Sequence, residues 1–551
     1  MTKKGNMPLK DELLRKGYFP ENLPPSFGTA AIADYFIDNP HQGYLSQRER
    51  PLRPAHYNAS KRGLTRRVFS AIHPETAHDM AEFVASRWPE ISESFDGNPI
   101  SFSVPHEDEH SDRALVINSH VRLEEEKVGK LSAYRFIAAT DVARFYHSIY
   151  THSIPWAFHG KAASKADRRV QSAAVFFNRA DFIIRNGQDG QTVGIPVGPD
   201  MSRVFAEVIG TAIDRTFQDR LDGIDCVALR HVDDVWIGAN THADAEHALS
   251  RYREAIREFE LDINENKTRI YSEDFAFSDF WPSELSQQIE FAIQTEGRKG
   301  RERLRSAFER AFALTARDHD DGILKFMLRN IDLYGLSLTH WADVEPFLKR
   351  AAVHFGHTVD YVARILVWRH LRNNDLDIEA WRPILHSTLD KHARLGNDSE
   401  VCWTIYALHM LDAPISVNDA ARVVQNCGAL SMVALLNCVA LGLVEGEIFE
   451  TARARLDGET ASGRFWPVFL EWTSREWPGH AALNLDNDII ERLAAANVTI
   501  YDPARVPLVF EDVDQDHFNQ VGRAIERRSS MYEDEDDEDF GHPDIDVDDL
   551  F

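Results

Sequence analysis

Cysteine is scarce in this chain. It has four in 551 residues, Cys226, Cys402, Cys427 and Cys438, and no two stand in CxxC spacing. That argues against a disulfide framework or a zinc-ligand set and fits a reducing, cytoplasmic setting. An apolar leader is also lacking: the opening MTKKGNMPLKDELLRK is charged throughout, so no secretory signal is expected. Long uncharged runs are nearly absent. One, Asn426–Val444, carries no charge over 19 residues, near the length of a membrane span. It contains Asn426, Gly428, Ser431, Asn437 and Gly442 and lies among amphipathic patterns. It therefore reads as a buried helix, and no membrane partner is expected.

Positive charge is in deficit as well, with a formal net charge of −27. Taken alone, that disfavours nucleic acid. The distribution changes the reading. From Ser530 to Phe551 eleven residues are acidic and none is basic, which leaves the rest of the chain near −16. Between Arg48 and Arg67 the bias reverses: Arg48, Arg50, Arg53, Lys61, Arg62, Arg66 and Arg67 face only Glu49. A second basic cluster runs from Arg298 to Arg305. Local basic stripes on an acidic body suit a phosphate-lined channel.

The pattern divides the chain into four stretches. Residues 1–60, rich in Pro and aromatics (GYFPENLPPSF), read as an extended arm followed by a short helix. Residues 61–280 alternate strand and helix signals, an α+β layer with helices on an antiparallel sheet. Residues 281–510 are dominated by helical periodicity at spacings of roughly 35 to 45 residues, the range of helical solenoids. Residues 511–551 form an acidic tail expected to be disordered when free.

The chemistry concentrates in the second stretch. AYRFIAATD has the bulk of a buried strand and ends at Asp141; LRHVDDVWIGA reads as a hairpin carrying Asp233 and Asp234 within an apolar run. Burying an unpaired carboxylate costs several kcal/mol (~2–7 even for a neutral polar group), so such a pair needs a cleft or a cation. If the two strands are neighbours, Asp141 and Asp233 converge and can share two divalent cations. Mg²⁺, with Mn²⁺ as a substitute, fits oxygen ligands shared with phosphates. The chemistry is then phosphoryl or nucleotidyl transfer. Asp234, next in a regular strand, is expected to face away and to play a secondary part.

These residues resemble a known family. DVARFYHSIYTHSIPWAFHGKAASK resembles the first catalytic motif of reverse transcriptases, GIPVGPDMSRVFAE their second, RHVDD the YxDD hairpin and LDINENKT the block after it. The extensions SIYTHSIPWA and SRVFAE, with GYFPENLPPSF near the start, are similar to bacterial abortive-infection (Abi-type) and defence-associated reverse transcriptases (the unknown-group enzymes). The resemblance implies a fingers-palm domain followed by an all-α helical-repeat (HEAT-like) domain. It makes Asp141, Val142, Asp233 and Asp234 the metal set and Tyr146 a steric gate against the 2′-hydroxyl. It gives Lys61, Arg66 and Arg67 to the triphosphate, Pro196, Val197 and Gly198 to the base pair, and Lys267 to general acid catalysis. Tyr18, Tyr44 and Tyr57 are candidate priming hydroxyls. Where YxDD enzymes carry Tyr, this chain has His231, which bears on primer and template handling. The implied partners are dNTPs, an RNA template or DNA product, and a second copy, another defence protein or a non-coding RNA. The readings open at this point are an anti-phage RNA-directed DNA polymerase, a template-independent protein-primed polymerase and a catalytically idle scaffold.

Overall fold

The computed structural model describes residues 9–39, 51–61, 65–108, 111–272, 274–277, 279–295, 297–373, 375–444 and 446–505. Tyr44, much of the basic stripe and the acidic tail lie outside them.

Branched and aromatic residues set out the sheet. The strands are β1 (Ala55–Ser60), β2 (Arg66–Ala71), β3 (Phe136–Asp141), β4 (Cys226–His231), β5 (Asp234–Ala239) and β6 (Arg269–Tyr271). β1 and β2 pair as an antiparallel hairpin. The other four make one antiparallel sheet in the order β4-β5-β3-β6. The strand ending at Asp141 is thus the direct neighbour of the strand that begins at Asp234.

Helices Asp200–Gln218 and His242–Arg257 pack together, and the second also covers β3 and β5. The first buries Val204, Phe205, Val208, Ile209, Ile213 and Phe217, the apolar face that its spacing predicts. The second is capped as its sequence requires: the Thr241 hydroxyl accepts from the Asp244 N–H at 3.1 Å.

From Trp281 to Ala495 the chain is helical. Helices Ile378–Leu395, Val417–Asn426 and Ile448–Arg455 stack in one row, and Asp398–Met410, Ala429–Ala440 and Trp466–Ser474 in a second. The uncharged run forms helix Ala429–Ala440, buried over Ala429–Cys438. Among the described residues no helix is long and apolar enough to cross a membrane.

The first sixty residues depart from the extended arm expected of them. They contain helices Leu9–Arg15 and Ala30–Asp38, and β1 pairs with β2 across the expected boundary at residue 60. The segment between the two helices is packing material. The Asn22 carbonyl accepts from the Tyr57 hydroxyl and the Trp403 indole. Phe27 bridges to Tyr501, and the Gly28 N–H donates to the Ile500 carbonyl. Aromatics rather than charge made this segment informative: Tyr18, Phe19 and Phe27 are buried in the same continuous core as Trp403 and Trp466. Removing one such tryptophan side chain would cost roughly 3–5 kcal/mol.

Candidate active site

The register settles which carboxylates meet. Asp141 stands directly opposite Asp234, and the Val142 N–H donates to the Asp233 carbonyl at 3.0 Å. Directly opposed residues of an antiparallel pair project from the same face. Asp234 therefore shares the face of Asp141, contrary to the expectation that it points away. The side-chain alternation starts at Asp234, the first residue of β5, because Val232 and Asp233 form the turn.

That turn is held under strain. Val232 has φ 56°, a left-handed conformation that β-branched residues rarely adopt and that costs about 1–3 kcal/mol. Two contacts offset it: the Val232 N–H donates to Ser103 Oγ at 2.8 Å, and the Val232 carbonyl accepts from Arg230 at 3.1 Å. Arg230 is fully buried. It also donates to Glu207 and Asp214, and Ser103 in turn donates to Glu207. Gly210 makes room for it, since a Cβ there would sit 2.6 Å from the guanidinium carbon.

Around Asp141 the LDINENKT segment folds back as a turn. The Asn264 N–H donates to the Asp141 carbonyl and the Lys267 N–H to the Asn264 carbonyl. This brings Lys267 Nζ to 2.5 Å from Asp141 Oδ2. Asp141 Oδ1 is buried with no hydrogen-bond partner. Burial, with Asp141 nearby, raises the Asp233 pKa. Burial and the charge of Asp233 raise Asp234 to about 6. Although burial works against its charge, Lys267 is raised by its hydrogen bond to Asp141.

Among the described residues no group of three or more His, Cys, Asp and Glu is arranged to hold a metal as it stands. The donor chemistry nonetheless suits a hard cation: three carboxylates converge, two disfavour their charged forms, and one keeps an orphaned oxygen. Val142, the fourth member of the implied metal set, is buried at the end of β3.

Asp233 and Asp234 line a cavity of about 1030 Å³. Lys61, Arg67, Tyr146, Pro196, Val197 and Gly198 also line it. The Tyr146 carbonyl accepts from the Ile195 N–H and the Val197 carbonyl from the Ser70 N–H, tying the loop to both the segment after β3 and β2. Gly198, at φ +119°, passes so close to Pro20 that a Cβ would lie 3.0 Å from it. Burial pushes the Tyr146 hydroxyl up to about 12.

Three expected residues have other partners. Arg66 lines the cavity, but its guanidinium binds both Glu400 oxygens at 2.7 and 2.8 Å and Asn58 at 2.6 Å, so it ties β2 to the helical half. Tyr18 and Tyr57 are fully buried, and their hydroxyls donate to the carbonyls of Ile72 and Asn22. As folded, neither presents a priming nucleophile. Tyr44 lies outside the described residues. Sequence reasoning missed Arg464, His56 and Glu21, which also line the cavity, and the Arg230 network beneath the hairpin. Only the buried setting of RHVDD hinted at the last.

Residues 84–292 match the family model described as "Reverse transcriptase (RNA-dependent DNA polymerase)". The match contains Asp141, the loop at 194–200, the Asp233-Asp234 hairpin and Lys267. Over residues 84–292 the chain is thus similar to a reverse transcriptase domain. The β1–β2 hairpin and nearly all of the helical half lie outside the match. No curated protein matches the chain. Among solved structures, a telomerase from Candida albicans in complex with a TWJ fragment of telomeric RNA aligns at 11% identity. That alignment covers 64% of this chain and 66% of that one, with a TM-score of 0.27.

Proposed function

We propose that this protein is an antiviral, anti-phage reverse transcriptase that adds deoxynucleotides to a growing strand with a pair of Mg²⁺ ions. The observation that carries the reading is the meeting of Asp141, Asp233 and Asp234 at one end of the sheet, beside a cavity with Lys61, Arg67 and Tyr146 in its walls. Asp141, Asp233 and Asp234 would hold the ions, with the Val142 carbonyl beside them. When bound, these would supply Lewis acidity to the attacking 3′-hydroxyl and the leaving pyrophosphate. Lys61 and Arg67 orient the triphosphate, Arg by bidentate contact. Tyr146 closes the space a 2′-hydroxyl would need. The loop at Pro196–Gly198 lays backbone against the base pair. Lys267, released from Asp141, is the proton donor to pyrophosphate.

The domain order proposed is an N-terminal arm (1–60), fingers and palm (61–280), a helical-repeat domain (281–510) and an acidic tail (511–551). The two stacked rows of helices support the repeat reading. Defence, an Abi-type ancestry, a cytoplasmic site of action and assembly with further copies or with a defence partner rest on the motif resemblance. Purified protein incubated with labelled dNTPs and Mg²⁺, with and without RNA, tests the chemistry. Product that requires RNA supports the proposal. Product without any template replaces it with untemplated, protein-primed synthesis, and no product under either condition leaves a scaffold. Plaque counts on cells carrying wild-type or Asp233→Asn protein test the defence role; equal protection by both would remove synthesis from it.

A further inference from the structure

The cavity is larger and more basic than a nucleotide alone requires. Its volume of about 1030 Å³ is at the top of the ~300–1,000 Å³ range of small-molecule sites. Among the described residues it is lined by seven Arg or Lys against four Asp or Glu, in a chain of net charge −27. Two of the four acids are Asp233 and Asp234 themselves. By count the rest of the lining is basic, although Glu400 and Glu459, from outside it, pair with Arg66 and Arg464.

Part of that excess comes from the helical half. Arg464 lies in the turn leading into helix Trp466–Ser474, and the chain around the β1–β2 hairpin holds that turn at several points. From the segment before β1 the Arg53 N–H donates to the Ser462 carbonyl at 3.1 Å; from β2 and just after it, the Ala71 carbonyl accepts from the Trp466 indole at 3.2 Å and His73 bonds the Ala461 carbonyl at 3.2 Å. Arg464 is thereby fixed beside Arg53 and His56, all three lining the cavity. Arg464 pairs with Glu459 at 2.8 Å and Arg53 with Asp189 at 2.8 Å, yet both arginine side chains remain about half exposed. Exposed pairs of this kind are worth about 0–1 kcal/mol, so a phosphate can displace either partner. The positive charge of Arg464 also reaches His56, whose pKa is lowered by partial desolvation at the cavity and by that charge.

We infer that Arg464, Arg53 and His56 form a phosphate-binding subsite in this cavity, built jointly by β1 with the segment before it and the helical half. This deepens the polymerase reading and rests on it for the identity of the ligand, a phosphodiester of the single strand being used or made. The same chemistry would also take the polyphosphate of a nucleotide. The helical half is then part of the binding site as well as a brace for it.

Fluorescence anisotropy with a labelled twelve-residue oligo(dT), and separately titration with dTTP and Mg²⁺, tests this on the full chain without turnover. Arg464→Ala is expected to weaken oligonucleotide binding about tenfold at low salt and to lower the salt slope by about 0.7, the loss of one phosphate contact to a single strand. Arg464→Lys should restore most of the slope, and Arg53→Gln should act in the same direction. A loss confined to dTTP assigns the subsite to the triphosphate. Wild-type affinity and salt slope for both probes in Arg464→Ala and Arg53→Gln, each melting like the parent, would overturn the proposal, as would a wild type that binds neither probe. Because binding is read without catalysis, an Arg464-dependent affinity in a protein that makes no DNA would sink the polymerase reading and leave the subsite standing.

Discussion

Two groups of acidic side chains flank one hairpin, and the chain treats them oppositely. Beneath the turn, Glu207 and Asp214 are buried against Arg230, with Ser101, Ser103 and Asn98 completing the bonds. At the mouth, Asp141, Asp233 and Asp234 have Lys267 on one oxygen, an orphaned oxygen on Asp141 and raised pKa values on the other two. The first group has its counter-charge within the fold, Arg230, although burial still raises the Asp214 pKa, and is structural. The second is under-neutralised in an apolar setting, the expected condition of carboxylates that wait for an external cation. The difference lies in where the counter-charge comes from and in access: Glu207 and Asp214 are buried, whereas Asp233 and Asp234 are only half-buried at the cavity.

Substitution should separate the two groups cleanly. Asp233→Asn is expected to lower DNA synthesis on the order of 10³-fold or more while thermal stability stays level or rises, because a repelled charge is removed. Single-turnover synthesis and a melting curve on the same sample check both halves; a variant that melts early would mean Asp233 is structural after all. Arg230→Met should do the reverse. It leaves two carboxylates buried without their cation, at about 3–5 kcal/mol, and chemical denaturation should show the loss even before activity is measured. Ser103→Ala is smaller. The Val232 N–H and Glu207 each lose a partner, for about 3 kcal/mol together, and the strained turn is released. Synthesis should fall with little change in nucleotide KM, since Lys61 and Arg67, the side chains assigned to the triphosphate, are untouched. A pure KM effect would show that Ser103 does not act through the hairpin.

Much of this contrast was legible in the sequence, and the limits have physical causes. Two acids inside an apolar run marked the hairpin, and a strand ending in Asp141 marked its neighbour, because strand composition is local. The face of Asp234 was misjudged because alternation was counted through Val232 and Asp233, and a left-handed φ at a valine leaves no mark in composition. Arg66 and Arg67 were adjacent members of one basic stripe, but Glu400, 334 positions away, takes the first. Arg464 gave no signal at all, since only the packing of Trp466 on the fingers carries it to the cavity. The arm was misread as extended because Pro and aromatic residues suit both an open strap and a buried one. Partners distant in sequence, here Trp403 and Tyr501, decide between them.

His73 extends the comparison to a buried group whose charge has no built-in compensation. It sits just after β2 at the seam with the helical half, where Nδ1 accepts from the Glu75 N–H at 3.3 Å and Nε2 meets the Ala461 carbonyl at 3.2 Å. Those contacts require the neutral ring with its proton on Nε2, because a second proton on Nδ1 would abolish the helix cap. Burial accordingly lowers its pKa to about 3. With the folded value below the unfolded one of about 6.5, the unfolded chain binds the proton more readily. The stabilisation is therefore complete above pH 6.5 and is lost progressively as pH falls towards 3. Between pH 7 and pH 5 the loss from this residue should be roughly 2 kcal/mol. His73→Asn, which keeps a capping oxygen, should flatten that part of the denaturation profile while Arg230→Met leaves its slope in place. If His73→Asn and the parent lose stability in parallel over this range, the seam is not held by a neutral histidine, and the acid sensitivity belongs to the carboxylates instead.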